Sequence, residues 1–529
     1  MNRSEVVLSE QQRDIVENTF GNIVVSASAG TGKTRTMTAK ILHELKNNNS
    51  HKTIAAITFT IRAAQEIRDR LVFDASQCFI GTNNSFAIEE VIKPFMKDVY
   101  GTEYDIDMDT DYANKDERIN ELSDGIQKIR DHHTIYAYFD NKKNFVFDLA
   151  LNIVKNSFAC RLYLQAKYFG IYVDEYQDCD LDMHEFFVHL CNVLHITTFI
   201  VGDDKQSIHR WRGANPESFM SVFQNPNFTH KILTENHRSD KQIQDYSNLL
   251  FDETAPLVVN PQNNENIIRI VSTNDGWVSK AIPLLDANMT SALLRNQREY
   301  SPKTGKHGAS NGADLLTTNG MEHIYIPPTP IDDITTNSAW LYVALASYVL
   351  ISTYSAYDFY NEIPVEADLE KVAVGKIEQM LNTAKQKASE DDVNGFSQSV
   401  TAIADYLGYV TTADHIGKLY DTVRDSKYAV ALNPIKPQHC TLTLHSSKGL
   451  EFEQVILFIE DYAFCGNVGN DHINNHYVAC TRAEKRLIIV DTQSQDANAA
   501  RSMIIEKIKA AGFTSRTLIT PILPKESAS

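Results

Sequence analysis

Short apolar runs that stop at turns of small or polar residues recur along the chain, and helical spacing follows most of them. Ile23-Val24-Val25 ends at Ser26, a loop of small residues comes next, and Met37-Thr38-Ala39-Lys40-Ile41-Leu42 suits a helix. Residues 52–60 form an apolar strand that runs into a helix marked by Ala64, Ile67 and Leu71. Strand-then-turn stretches return at 169–173 and 197–201, then at 267–271, 292–296, 440–444, 455–459 and 486–490. Strands alternating with helices in this way predict an α/β fold with a second α/β unit after the first. Ser9 followed by Glu10 predicts a capped helix near the start. Residues 80–86 predict a polar turn after a short strand, and 301–320 and 388–395 predict polar loops, the first of them mobile. Residues 339–351 are the longest apolar run, too short to span a bilayer, and predict a buried helix.

Two stretches break the pattern. Residues 90–150 are rich in tyrosine and carry Asp105, Asp107, Asp109 and Asp111 in alternation. As a calcium loop this spacing fails, because Thr110 stands where a glycine turn is needed and no glutamate occupies the twelfth position; a solvated acidic loop is expected. Residues 300–436 are mainly helical and interrupt the second unit.

Composition changes little. The 529 residues suffice for several cores, about three to four domains by length. A net charge of −18 argues against a generally basic surface while leaving room for a local basic groove. Seven scattered cysteines without a C-x-x-C pair fit a reducing compartment and give no zinc or iron–sulfur pattern. The opening residues lack the apolar core of a signal peptide, so a cytoplasmic location is expected.

The candidate chemistry sits in the turns. The loop Ala27-Ser28-Ala29-Gly30-Thr31-Gly32-Lys33-Thr34-Arg35 lies between a strand and a helix start, where backbone N–H groups and the helix dipole converge on an anion. Lys33 adds a charge for the β/γ-phosphates and Thr34 a hydroxyl for Mg²⁺, although Ala27 replaces the usual first glycine. Asp174 and Glu175 leave the end of an apolar strand, one available to Mg²⁺ and its neighbour to an attacking water. Thr58, Phe59 and Thr60 occupy a turn suited to a phosphate and a stacked base, with Phe59 as plain core the equal alternative. Trp211 between Arg210 and Arg212 suits a stacking grip on a single strand, with a buried tryptophan the competing reading. Gln12 could read an adenine edge or be an ordinary surface residue, and Arg238 could reach a γ-phosphate.

In this order the stretches resemble the successive motifs of the UvrD/Rep/PcrA type of superfamily-1 DNA helicase, with a phosphate loop similar to the RecB/AddA branch. The resemblance rests on Ala27 to Thr34, Ile57-Thr58-Phe59-Thr60, Val173-Asp174-Glu175-Tyr176-Gln177-Asp178 and Gly202-Asp203…Gln206…Trp211-Arg212-Gly213. Asn236-His237-Arg238-Ser239, His445…Lys448-Gly449-Leu450-Glu451 and Tyr477-Val478-Ala479…Thr481-Arg482 continue it to about residue 490. It implies two RecA-like parallel-sheet motor domains with ATP between them, each interrupted by a mainly helical insertion. The first motor domain would be 1–89 and 151–260 around an insertion at 90–150; the second would be 261–300 and 437–529 around 301–436.

The resemblance also implies roles. Gln12 and His237 would hold adenine, the loop residues 27–35 and Glu451 the ribose and phosphates, and Thr34 and Asp174 the Mg²⁺. Glu175 would be the base, with Lys33, Gln206, Arg238 and Arg482 at the γ-phosphate. Thr58, Phe59, Thr82, Trp211, Arg212 and His445 would meet DNA. Departures are His237 in place of an aromatic tyrosine, Asn83-Asn84 in place of Phe-His, loss of the acidic–arginine cluster before Tyr477, and short insertions. The implied activity is ATP-dependent 3′-to-5′ movement on single-stranded DNA and at single-strand/duplex junctions. The alternative is a DNA-stimulated ATPase subunit regulating a partner nuclease, as in helicase–nuclease or anti-phage assemblies of the Gabija kind. A fused nuclease is not expected, since little chain follows residue 484.

Overall fold

The structure, a computed structural model, describes residues 7–71, 77–106, 108–112, 114–272, 274–299, 308–334, 338–363, 373–433, 435–463 and 470–522. The chain divides into two compact units. The first is Met1–Ala27, Gly32–Leu233 and Thr329–Asn433; the second is Ser28–Thr31, Thr234–Pro328 and Pro434–Ser529.

In the first unit, β1 (Ile23–Ala27), β2 (Thr53–Thr58), β3 (Phe79–Thr82), β4 (Tyr168–Val173), β5 (Thr197–Gly202) and β6 (Thr229–Leu233) form a six-stranded sheet in the order β3-β2-β4-β5-β1-β6. Every neighbouring pair is parallel. Burial on both faces explains the unbroken apolar runs, since β2 is buried at each position. The edge strand β6 differs: its Thr229, His230 and Ile232 are exposed, and Lys231 pairs with Asp14. Ile232 apart, these are polar or charged positions of the kind that blunt a sheet edge.

The second unit repeats the plan with β7 (Ile267–Val271), β8 (Ser291–Arg295), β9 (Ile324–Tyr325), β10 (His439–Thr443), β11 (Phe452–Phe458), β12 (Ala483–Asp491) and β13 (Thr520–Ile522). The order is β9-β10-β8-β11-β12-β7-β13, again with parallel pairs throughout. The mixed α/β class with two parallel sheets therefore stands as expected.

Residues 329–433 carry a helical bundle with its own core, in which Leu341, Tyr342, Leu381, Val400, Ile403 and Leu419 are buried together. The apolar run beginning at residue 339 is indeed a buried helix, Ala339–Leu350. No helix among the described residues is long and apolar enough to cross a membrane.

Three local expectations fail. The polar turn at 80–86 is instead the end of β3 followed by the helix Asn83–Ala87, because the Thr82 hydroxyl caps it by accepting from the Ser85 N–H at 3.3 Å. Within 301–320, residues 301–307 lie outside the described part, but Ala309–Thr318 is a helix whose Ala309, Ala313 and Leu316 are buried. Of the alternating acids, Asp105 is exposed outside any helix or strand, as expected, but Asp109 and Asp111 are not in a solvated loop. They flank buried Thr110 in a strand, Asp109–Asp111, paired in parallel with Thr134–Tyr136; Asp107 lies outside the described residues.

Candidate functional site

A parallel sheet brings all its carboxyl ends to one edge, so the turns after β1, β2, β3, β4 and β5 share one side of the first unit. Ala27 closes β1, buried in the core, and Gly32 begins the helix Lys33–Asn47 from a left-handed backbone (φ 82°) that only glycine adopts freely. A side chain on Gly32 would lie 2.7 Å from the Gln12 amide nitrogen. Gln12 is only 1% exposed, which removes the surface reading. Its carbonyl oxygen accepts from the Ser9 N–H at 3.1 Å, and its N–H donates to the Ser9 hydroxyl, the cap anticipated from sequence. Arg35, one turn into the helix, donates to the Val7 carbonyl.

The Thr34 hydroxyl donates to Asp174 at 2.8 Å, and the other Asp174 oxygen accepts from the Glu175 N–H at 2.8 Å. Asp174 is 2% exposed, and burial, then the Glu175 charge, push its carboxyl up to about 6, against the pull of Thr34 and Lys33. Glu175 has φ 51° and ψ 39°, a left-handed backbone rare outside glycine and a form of local strain. Its carboxylate accepts from the Gln177 amide, and the Gln177 carbonyl in turn accepts from the Asp203 N–H at 2.9 Å. Gln206 donates to Asp203 at 2.7 Å, and Lys205 pairs with the same carboxylate at 2.6 Å. A hydrogen-bonded chain thus runs from Thr34 to Gln206 across β4 and β5. One hydroxyl and one carboxylate beside a glycine-lined helix start are hard oxygen donors that fit Mg²⁺ with a phosphate chain.

The second unit holds the loop segment Ser28–Thr31 and the arginines. Ala29 donates its N–H to the Tyr477 hydroxyl at 3.0 Å, and the Ala29 carbonyl accepts from the Asn236 amide at 2.9 Å. The Thr31 hydroxyl and N–H both bond the Ser28 carbonyl, closing the turn. Gly30 (φ 77°) passes so close to Asn236 that a Cβ would lie 2.6 Å from its oxygen. The same oxygen accepts from the Arg238 N–H at 2.8 Å and the Ser239 N–H at 3.1 Å, while the His237 N–H donates to the Gly30 carbonyl at 2.9 Å. The His237 side chain is exposed. Arg238 is ion-paired with Glu451 and donates to the Thr481 carbonyl at 3.1 Å. Arg482, 2% exposed, donates to the Val478 carbonyl at 3.0 Å and the Leu450 carbonyl at 3.2 Å.

The residues expected at DNA are mixed. Thr58 is fully buried and its hydroxyl donates to the Thr60 carbonyl at 2.9 Å; Phe59 is partly buried against the core. The Thr82 hydroxyl is engaged as a helix cap. Arg212 is exposed in the short helical turn Arg210–Arg212, whereas the Trp211 side chain lies outside the described residues. His445 opens the turn after β10 and is half-buried. Against the Arg210–Gly213 turn packs a loop that sequence reasoning passed over. The Asn141 carbonyl is 2.8 Å from where a Cβ on Gly213 would stand, and neighbouring Phe139 is 75% exposed beside exposed Lys142 and Lys143. Gln177, Asp203, Asn236 and Tyr477 were also missing from the expected site, and of these Asn236 alone directly flanks an expected site residue, His237.

The chain is similar to known families and proteins. Residues 8–144 and 106–227 match the UvrD/REP helicase N-terminal domain, and residues 439–490 match the UvrD-like helicase C-terminal domain. Gabija protein GajB of Bacillus cereus (strain VD045) is 35% identical over 501 residues, 92% of this chain and 97% of that protein. ATP-dependent DNA helicase Rep of Buchnera aphidicola subsp. Acyrthosiphon pisum (strain APS) is 28% identical over 46% of this chain and 45% of its own length. ATP-dependent DNA helicase PcrA of Staphylococcus aureus (strain COL) is 27% identical over 46% of this chain and 39% of its own.

Proposed function

The chain belongs to the UvrD-like helicase family, and from that premise we propose an ATP-driven motor that moves 3′ to 5′ along single-stranded DNA and opens duplex ahead of it. The observation that carries the proposal is the bonded series Thr34–Asp174–Glu175–Gln177–Asp203–Gln206. Thr34 and Asp174 would hold Mg²⁺, which when bound neutralises charge on the β- and γ-phosphates. Glu175 orients the attacking water and takes its proton, and the Gln177 amide fixes which carboxylate oxygen is left for that task. Lys33 and the loop N–H groups bind the phosphate chain, with His237 and Gln12 at the base. Arg238 and Arg482 serve the γ-phosphate only by giving up Glu451 and the Val478 and Leu450 carbonyls. That exchange ties hydrolysis to a change of shape, and Phe59, Trp211, Arg212 and His445 convert it to a step along the strand.

The test is ATPase rate with and without single-stranded DNA, together with unwinding of duplexes carrying 3′ or 5′ tails. Stimulation by DNA and unwinding from 3′ tails are expected. ATPase indifferent to DNA, or unwinding confined to 5′ tails, overturns the proposal.

A second reading has its own support in the match to Gabija protein GajB along 97% of that protein. Here the motor is a DNA-stimulated ATPase subunit that regulates a partner nuclease in anti-phage defence. Affinity capture from the native host should then recover a nuclease in fixed ratio; robust unwinding by the isolated chain with no such partner removes this reading.

A further inference from the structure

β7 reads Ile267-Ile268-Arg269-Ile270-Val271, an arginine in the middle of an otherwise apolar strand. In register, Arg269 lies between Ile489 of β12 and Pro521 of β13, on a sheet face where parallel strands normally carry aliphatic side chains. A cavity of about 170 Å³ opens there, lined by Arg269, Arg501 of the helix Gln495–Ala510, Arg516 and Ser515, with Ile504 and Pro521 among its apolar walls. No acidic side chain among the described residues lines it. The nearest counter-charge is Asp491, fully buried, which pairs with Arg501 at 2.7 Å and Arg269 at 3.8 Å.

Asp491 explains two of the arginines as a structural ion pair, but not the third. Arg516 is exposed and makes no ion pair among the described residues, so three arginines line the cavity and only two of them are paired with the one carboxylate. The Arg269 Nε is buried without an acceptor among the described residues. Burial holds the Arg269 pKa below its ordinary value, and Arg501 adds to the depression while Asp491 opposes it. A concave surplus of positive charge in a chain of net charge −18 calls for an anion.

Guanidinium forks match the oxygen spacing of phosphate. Small-molecule pockets usually run to about 300–1,000 Å³, so this cavity accommodates a single phosphate with a small appendage and not a nucleoside triphosphate. We propose that this cavity is an anion site for one phosphate monoester, separate from the phosphate loop and independent of the motor reading. The phosphate comes either from a small free molecule or from the end of a polynucleotide.

The full chain carrying Lys33→Ala, which disables the phosphate loop, is dialysed against labelled inorganic phosphate and titrated with 5′-phosphorylated and 5′-hydroxyl oligonucleotides. Phosphate binding that weakens about tenfold or more with Arg516→Gln, the worth of one charge-assisted hydrogen bond, supports the site. A preference of the same size for the 5′-phosphorylated oligonucleotide, lost with Arg516→Gln, also supports it and makes the source a strand end. Arg269→Gln should match these losses; if it unfolds the chain by stranding Asp491, Arg516→Gln still decides. Binding of both probes unaffected by Arg516→Gln overturns the proposal. ATPase activity of Arg516→Gln in the otherwise native chain should be unchanged.

Discussion

Asp174 and Glu175 leave the carboxyl end of β4, whereas Glu451 and Arg482 stand before the amino ends of β11 and β12. The two sheets are both wholly parallel, yet their candidate chemistry uses opposite edges. In the first unit the carboxylates are already bonded into one series that ends at Gln206. In the second, both arginines are occupied by Glu451 or by carbonyls of their own unit. The first set is thus already arranged, and on the reading proposed above the arginines of the second would act only by changing partners.

The largest expected effect tests the recruited half. Arg482→Ala should lower kcat by about 10³–10⁵-fold, the usual worth of an arginine at a transferring phosphoryl group, with nucleotide affinity little changed in equilibrium binding. Native turnover in this variant would dissolve the contrast. Glu175→Gln tests the preorganised half: a loss of about 10²–10⁴-fold in turnover is expected, with ATP binding retained. Gln177→Ala should cost less. It strips a donor from Glu175 and leaves the buried Asp203 N–H without its acceptor, a penalty of about 1–3 kcal/mol in denaturant unfolding. A stability equal to the native chain would show that the series is not held through Gln177.

The smallest effect is on pH dependence. Burial, then the Asp461 charge, raise Glu460 of the second unit from 4.5 to about 7, and burial raises Asp180 of the first from 3.8 to about 6. In each case the folded chain binds the proton more tightly than the unfolded one. The stabilisation is complete below pH 3.8 for Asp180 and 4.5 for Glu460, and is lost as pH rises through about 6 and 7. Glu460→Gln removes its share of that loss, so between pH 5 and 8 its melting temperature should gain on that of the native chain. An identical change in both proteins would place the titration elsewhere.

The strands and the turns that follow them were legible because apolar continuity and small-residue loops are local signals. So was the Ser9 cap, whose box with Gln12 spans three residues. The helix Ala309–Thr318 was not, because Ala-Ser-Asn-Gly-Ala-Asp has loop composition. What fixes it is packing, with Gly312 so close to Leu293 that an added Cβ would approach to 2.4 Å. The Gln177 bridge was equally hidden: its two partners follow different strands, and only the pairing of β4 with β5 makes them neighbours. The cavity around Arg269 depends in the same way on cross-strand register. The contrast between the two halves could not be read in advance, since a sequence names an arginine without saying what it currently grips.

The left-handed backbone of Glu175 sets the molecule's chemistry against its own comfort. A longer side chain in that conformation costs about 1–3 kcal/mol, whereas asparagine tolerates it well. Glu175→Asn should therefore melt no lower than the native chain, and higher if the strain is fully released, while being inert. A sturdier, silent protein lies one residue away, and robustness in a heat scan would be a poor guide to activity.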